Sequence, residues 1–281
     1  MARRLDEVLA SITSIDYGRV EGYLVSFIQD SIKEASVDGA VIGLSGGVDS
    51  STTYALLVRA IGSSRVKALV MPDTSVTPKE DVEDAVSLAK ALGSRYDVID
   101  IKPLVDAYKK ALPVYEDEQG PDRIPLGNLR ARIRMNLLYY YANKENRIVV
   151  GTGDRSEILI GYFTKYGDGA CDIMPLAVLY KSQVRRLALH LGIPQKIAFK
   201  PSSPRLWRGH EAEKELGLSY DLIDAVLHLL FDKGMSPERV SEYLEVPRSI
   251  VDRVLGLHRR SEHKRSLPGA PTLEPILGMM G

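Results

Sequence analysis

The stretch Val41-Ile42-Gly43-Leu44-Ser45-Gly46-Gly47-Val48-Asp49-Ser50-Ser51 decides the fold of this chain. Its apolar start is typical of a buried strand, and a helical pattern follows at Ser50–Ile61. The two glycines between them let the backbone bend with N–H groups pointing inward, and the start of a helix adds roughly half a positive charge. The stretch therefore predicts a site for a phosphate group. Its spacing lacks the lysine of a Walker loop, so the common ATPase arrangement is not predicted.

The composition is that of an ordinary globular protein. The chain has 281 residues, 44% of them hydrophobic and 26% charged, which suits one large domain with a substantial core. Lysine plus arginine equals aspartate plus glutamate at 37 each, which argues against nucleic acid or membrane as a partner. We find no signal peptide and no apolar run of about 18 residues, so we expect a cytoplasmic protein. The single Cys171 excludes an intramolecular disulfide and a cysteine zinc site.

Buried runs alternate with helical patterns in the first half of the chain. The predicted strands are Val41–Leu44, Val66–Met71, Tyr96–Ile101 and Ile148–Gly151, and the helices between the first three are Ser50–Ile61 and Pro78–Leu92. This order predicts an α/β fold in which helices cover both faces of a parallel sheet. Ligands in such sheets bind beyond the carboxyl ends of the strands. The turn Gly151-Thr152-Gly153-Asp154-Arg155-Ser156-Glu157 lies at such an end, so it and the first motif should meet at one crevice.

The rest of the chain reads as loops and helices. A surface loop is predicted at Val114–Ile124, and a helix from Leu126 to about Asn143 carries three tyrosines, 139 to 141, that suit a subunit interface. A glycine-rich loop up to Pro175 is typical of a lid or a binding loop. The helix Ser182–Leu191 and a helical part at about 210–265 follow. We expect residues 266–281, rich in Pro and Gly, to form a mobile tail.

Several motifs in order resemble a known family. Ser45–Ser50 resembles the loop of the ATP pyrophosphatases, and Thr164-Lys165-Tyr166-Gly167-Asp168 and His263-Lys264-Arg265 are more specific still. From about residue 20 to 265 the chain resembles the ammonia-dependent NAD synthetases. The resemblance implies a Rossmann-like, adenine nucleotide alpha hydrolase-like fold, with residues 1–265 as a single synthetase domain. It also implies that deamido-NAD, ATP and ammonia become NAD, AMP and pyrophosphate through an acyl-adenylate.

The resemblance also implies roles for individual residues. The positions that match ATP contacts are Gly43, Leu44, Ser45, Gly46, Gly47, Val48, Asp49, Ser50, Thr152, Lys181 and Ser202. Asp49 and Glu157 match two Mg²⁺ ligands, and hard oxygen donors suit that ion. The positions that match deamido-NAD contacts are Arg132, Lys165, Asp172, His263 and Lys264. We expect Asp172, Lys181 and Lys165 to be catalytic, with Asp172 taking or orienting a proton of ammonium.

Other interpretations of these residues, and of the function, are also open. Asp49 and Glu157 could merely complement helix dipoles, and Arg132 and the run 259–265 could be solvated charges. The segment 202–213 departs from the family pattern, which leaves its lid contacts open. The glutamine-using relatives carry an amidase domain before the loop, so free ammonia is expected here, or ammonia from a separate amidase. The family implies a homodimer with its active site near the interface. The alternatives are a GMP-synthetase-like or tRNA-modifying enzyme of the same fold and a regulatory nucleotide-binding module.

Overall fold

Four parallel strands form one sheet in the computed structural model, which describes residues 2–271. The strands are β1 (Gly39–Gly43), β2 (Val66–Val70), β3 (Arg95–Val98) and β4 (Arg147–Val150). Their order across the sheet is β3-β2-β1-β4, and the register pairs Ala40 with Val66, Ile42 with Val150 and Lys67 with Arg95. The predicted parallel sheet is therefore confirmed.

The helices are numbered in chain order. They are α1 (Ala2–Thr13), α2 (Tyr17–Glu34), α3 (Val48–Ile61), α4 (Lys79–Leu92), α5 (Lys102–Ala111), α6 (Arg123–Lys144), α7 (Arg155–Ile160), α8 (Lys181–His190), α9 (Gln195–Ala198), α10 (Ala212–Leu216), α11 (Tyr220–Leu227), α12 (Pro237–Leu244), α13 (Arg248–Arg260) and α14 (Glu262–Arg265). A turn of π-helix at His228–Asp232 follows α11. Within residues 2–271, no helix is long and apolar enough to cross a bilayer.

Successive residues of the strands point to opposite faces of the sheet, and each face is covered. Ala40 and Ile42 pack with residues of α2, α3, α4 and α8 in one hydrophobic cluster. Val41 packs with residues of α5 and α6 in a second cluster on the other face. Helices on both faces, as predicted, explain why the strands consist of near-continuous apolar residues. A third cluster joins α1 to α10 through α13 and forms the helical C-terminal part.

Four helices were not predicted from the sequence, and some boundaries differ. The unpredicted helices are α1, α2, α5 and the short α9. Helix α1 buries Val8 and Ile12 in the third cluster, so its amphipathic pattern has a physical partner. Strand β3 ends at Val98 rather than Ile101, although Ile99 N–H still donates to the Val70 carbonyl. Helix α6 begins at Arg123, inside the predicted loop. Residues 266–271 contain no helix or strand, and the remainder of the predicted tail lies outside the described residues.

Candidate active site

The carboxyl ends of the strands open onto a cavity of about 700 Å³. Both glycine turns line it, as expected for ligand sites in open parallel sheets. The predicted site residues that line the cavity are Gly43, Leu44, Ser45, Gly47, Val48, Asp49, Ser50, Thr152, Glu157, Ser202 and Lys264. The other predicted site residues do not line it; these are Gly46, Arg132, Lys165, Asp172, Lys181 and His263.

The loop between β1 and α3 leaves a helix start open to the cavity. Gly46 has φ of +78°, and a Cβ there would lie 2.3 Å from the carbonyl oxygen of Asp81, so only glycine fits. Among the described residues, no side chain caps α3, whose N-cap is Gly47. The hydroxyl oxygens of Ser45 and Ser50 lie 2.9 Å apart beside it. Uncapped N–H groups at a helix N-terminus form a site for an anion.

A buried lysine gathers three carboxylates at the floor of the cavity. Lys181 Nζ lies 2.7 Å from Asp49 Oδ2 and 2.9 Å from both Asp154 Oδ2 and Glu157 Oε1. Burial alone would lower the pKa of this ammonium, but the carboxylates outweigh it and raise the pKa well above its usual range. Burial also raises the pKa values of Asp154 and Glu157, and the neighbouring carboxylates raise them further, although the Lys181 ammonium opposes both effects. Lys181, which the family resemblance matches to an ATP contact, holds these acidic side chains in place in this structure.

Two aspartates that the sequence analysis did not single out organise this centre. Asp154 caps α7 by accepting a hydrogen bond from Glu157 N–H at 2.8 Å, and Glu157 Oε2 accepts from Asp154 N–H at 3.3 Å. The Asp-x-x-Glu spacing of this capping box could have identified Asp154 from the sequence. Asp224 is buried in α11 and accepts from Ser156 Oγ at 2.5 Å and Ser182 N–H at 2.8 Å. The sequence could have identified it as an acidic residue within the apolar stretch 222–227. Burial raises the pKa of Asp224 to about 7.

The donors of Asp49 and Glu157 fit Mg²⁺. Asp49 Oδ1 is buried and accepts no hydrogen bond from any residue in the range 2–271. That range contains no group of three or more His, Cys, Asp or Glu side chains that could hold a metal by themselves. Mg²⁺ is commonly held by one or two carboxylates together with substrate phosphates. Two carboxylates beside an anion site match this pattern.

Most of the residues expected to contact deamido-NAD lie together at one side of the cavity. Lys165 Nζ donates to the carbonyl of His263, and Arg132 Nη2 donates to the carbonyl of Lys165 at 3.3 Å. Lys264 Nζ donates to the carbonyls of Gly161 at 2.8 Å and Phe163 at 2.7 Å. Hydrogen bonds from lysine side chains to main-chain carbonyls thus join the segment 161–168 to the closing His-Lys-Arg motif.

Asp172 has different partners and an exposed side chain. Its Oδ1 accepts a hydrogen bond from Tyr139 Oη at 3.1 Å, and its Oδ2 accepts one from Val149 N–H at 2.7 Å. The carboxylate is therefore fixed between α6 and β4, next to Val149 in the cavity wall, although Asp172 itself does not line the cavity.

Most of the segment 201–211 lines the cavity, and arginine side chains fix it at two places. Arg205 Nε donates to Asp81 Oδ2 at 2.6 Å, on α4. Arg130, fully buried on α6, donates to the carbonyl of Leu206 at 2.9 Å and to Asp73 Oδ2 at 2.7 Å. Trp207 and His210, in the part of the segment that departs from the family pattern, stack with ring centres 3.5 Å apart. Ser202 Oγ is buried without a hydrogen-bond partner among the described residues.

Known proteins resemble this chain over nearly its whole length. Residues 20–268 match the model of the NAD synthase family. The chain is 59% identical to the NH(3)-dependent NAD(+) synthetase of Hyperthermus butylicus, over 94% of each chain. The structure resembles that of an NMN synthetase from Francisella tularensis, with a TM-score of 0.80, 35% identity, and coverage of 92% of this chain and 100% of the other. It also resembles an NH3-dependent NAD synthetase from Campylobacter jejuni, with a TM-score of 0.76, 30% identity, and the same coverage.

Proposed function

The chain belongs to the NAD synthase family, and on this basis we propose that it amidates deamido-NAD to NAD with ATP and ammonia. The observation that carries the proposal is the meeting of two features at one cavity. The uncapped start of α3 can receive a phosphate, and the carboxylates held by Lys181 lie beside it. This family membership favours deamido-NAD over the substrates of GMP-synthetase-like or tRNA-modifying enzymes.

The reaction has two steps. A carboxylate oxygen of the nicotinate attacks the α-phosphorus of ATP, and pyrophosphate leaves. Ammonia then attacks the carbonyl carbon of the acyl-adenylate, and AMP leaves with the former carboxylate oxygen. Holding the reactants in line can supply about 7–11 kcal/mol, and each donor aimed at developing negative charge about 3–4 kcal/mol. Such a site needs positioned cations and N–H groups rather than a covalent nucleophile.

The residues around the loop take the nucleotide. In this proposal Gly43–Ser50 and the start of α3 receive the pyrophosphate, while the hydroxyls of Thr152 and Ser202 contact the nucleotide. Asp49 and Glu157 would hold Mg²⁺, and the ion would supply positive charge that neutralises the phosphates. Lys181 keeps both carboxylates in position and adds positive charge behind the leaving group.

The second substrate lies beside the nucleotide. Arg132, Lys165, His263 and Lys264 contact deamido-NAD, and Asp172 takes or orients a proton of ammonium so that ammonia can attack. The hydrogen bonds from Tyr139 and Val149 fix the Asp172 carboxylate in one orientation, which a proton acceptor requires.

The active unit in this proposal is a cytoplasmic homodimer that uses free ammonia, or ammonia from a separate amidase, and residues 1–265 act as one domain. Tyr140 on α6 is 61% exposed, which suits burial against a second subunit. Sedimentation at assay concentrations tests the dimer. A monomer with full activity would contradict it.

One assay tests the proposed activity. The protein is incubated with ATP, Mg²⁺ and ammonium, and with deamido-NAD, nicotinate mononucleotide or xanthosine monophosphate in parallel tubes. The mononucleotide is included because the Francisella relative is named an NMN synthetase. We expect NAD and AMP in equal amounts with deamido-NAD only. AMP formation with another acceptor alone would reassign the substrate, and the lack of AMP in every tube would refute the activity.

A further inference from the structure

The cationic side chains that line the cavity differ in how their charges are used. Those among the described residues are Arg134, Lys200, Arg205, Lys264 and Arg265. Lys200 and Arg205 are paired with Asp81, at 3.1 and 2.6 Å. Lys264 donates to two main-chain carbonyls, as described above. Arg265 Nη1 donates to the carbonyls that end α7, those of Ile158 and Leu159, both at 3.2 Å. Four of the five cations therefore already have structural partners.

Arg134 differs from these four because only its Nε is engaged, and within residues 2–271 no group accepts a hydrogen bond from its two Nη groups. Its Nε donates to the carbonyl of Met71 at 3.0 Å, which fixes the plane of the guanidinium. Within residues 2–271 it forms no ion pair with a carboxylate, although its side chain is partly buried. Burial lowers its pKa to about 10, so it stays charged at pH 7. A desolvated cation is costly unless an anion joins it, and an arginine with two free Nη groups fits a phosphate.

The position of Arg134 indicates which phosphate it meets. Met71 directly follows β2, and Leu138, one helical turn after Arg134, packs against Gly43 at the end of β1. On the β2 side the wall is apolar, with Val70, Met71, Pro72 and Val82, which suits an adenine ring. On the β1 side lies the loop 45–50, suited to the pyrophosphate. The phosphate between adenosine and pyrophosphate is the α-phosphate.

We propose that Arg134 contacts the α-phosphoryl group of ATP through its Nη groups, a role that rests on the proposed function. The α-phosphorus is where the carboxylate oxygen attacks, so charge develops on its oxygens in the transition state. Arg134 therefore contributes to turnover as well as to nucleotide affinity. Its neighbour Arg132, predicted from the family resemblance, is exposed and outside the cavity, so the two arginines of this motif have separate tasks.

The experiment compares Arg134→Gln and Arg134→Lys with Lys144→Gln, which removes an exposed cation at the end of the same helix. Calorimetric titrations use adenosine, AMP and deamido-NAD, and steady-state assays give kcat. We expect Arg134→Gln to weaken AMP binding at least about 10-fold and to lower kcat about 100-fold or more, with adenosine affinity unchanged. Arg134→Lys keeps the charge but loses the planar fork and falls between. Lys144→Gln behaves as wild type.

Three results would overturn the proposal. Wild-type AMP affinity in Arg134→Gln would overturn it, and so would an equal loss of adenosine affinity, which indicates a damaged adenosine site. Loss of deamido-NAD affinity alone would assign the arginine to the other substrate. Thermal denaturation of each variant identifies one that fails to fold, and Arg134→Lys then decides. A wild type that binds AMP more tightly than adenosine but makes no NAD would refute the proposed function and leave this contact testable.

Discussion

Lys181 Nζ lies 2.7 Å from Asp49 Oδ2, so the first residue of α8 is paired with a residue in the first turn of α3, 132 positions earlier in the chain. Both helices present positive N-terminal dipole ends here, and the three carboxylates around Lys181 offset that charge. The centre is therefore a structural element as well as a candidate for catalysis, and each part can be tested separately.

Removal of the lysine should destabilise the protein strongly. Lys181→Met would leave one fully buried and two partly buried carboxyl groups without their cation, and breaking a buried ion pair typically costs about 3–5 kcal/mol of unfolding free energy. Urea denaturation measures the loss. Lys214→Met is the control, because Lys214 is 75% exposed and pairs with the exposed Glu211, so its loss should cost less than about 1 kcal/mol. Equal losses in the two variants would contradict the interpretation that Lys181 stabilises the three carboxyl groups around it.

The Mg²⁺ requirement should depend on Asp49. Asp49→Asn removes a charged oxygen donor, so we expect the free Mg²⁺ concentration for half-maximal activity to rise at least about 10-fold. Activity is titrated against free Mg²⁺ at saturating ATP, and chelation of the metal should abolish turnover in both proteins. Asp252→Asn, at an exposed side chain on α13, is the control. An unchanged Mg²⁺ dependence in Asp49→Asn would exclude this carboxylate as a ligand.

The turn at Gly46 should tolerate no side chain. In Gly46→Ala the left-handed backbone costs about 1–2 kcal/mol, and the contact with the Asp81 carbonyl adds to this. We expect lower stability and weaker ATP binding, measured by thermal denaturation with and without ATP. Gly22→Ala is a matched control on α2, where a Cβ meets nothing within 4 Å. It should raise stability by about 0.5–1 kcal/mol, as alanine for glycine does within a helix. Similar effects of the two changes would be inconsistent with a strained turn.

Stability should fall with rising pH because of Asp224. Its pKa is raised from about 3.8 to about 7 by burial, so the folded state holds a proton between these values that the unfolded chain has lost. The unfolding free energy from this group therefore decreases as pH rises from about 4 to 7, by at most about 1.4 kcal/mol per pH unit, and is flat above. Urea denaturation at pH 5, 6, 7 and 8 should show that Asp224→Asn removes this slope. Asp221→Asn, in the same helix, should keep it, and parallel curves for wild type and Asp224→Asn would contradict the assignment.

The proton-accepting role of Asp172 can be separated from binding. Asp172→Asn keeps an oxygen for Val149 N–H but cannot take a proton, so kcat should fall about 100-fold or more while ATP affinity is unchanged. Tyr139→Phe removes only the hydrogen bond that orients the carboxylate and should cost less than about 10-fold. Wild-type turnover in Asp172→Asn would refute the role.

The sheet was predictable because its signal is local. Four apolar runs separated by helical patterns indicate parallel strands, and the glycine turns at the ends of the first and fourth strands then meet at one edge of the sheet. Helices α1 and α2 were not predicted, since their amphipathic patterns become informative only when the surfaces they cover are known. For example, Val8 packs in a cluster with residues more than 200 positions later, such as Val251.

The direction of side chains at the site was less predictable. The motif places Lys181 near a phosphate, but sequence alone cannot show that its ammonium group forms ion pairs with Asp154 and two other carboxylates. Helical periodicity separates Arg132 from Arg134, yet which of the two faces the cavity depends on how α6 packs against the sheet. Asp224 is a buried polar residue whose partners come from two other helices, and no spacing within α11 reveals them.

In the proposed reaction, the nicotinate carboxylate is activated when it receives the AMP group of ATP. The most direct test uses deamido-NAD labelled with ¹⁸O in that carboxylate, with mass spectrometry of the AMP and pyrophosphate formed during NAD synthesis. We predict one labelled oxygen in each AMP and none in pyrophosphate, because the attacking oxygen stays on the α-phosphorus. Label in pyrophosphate or inorganic phosphate, with unlabelled AMP, would contradict the acyl-adenylate.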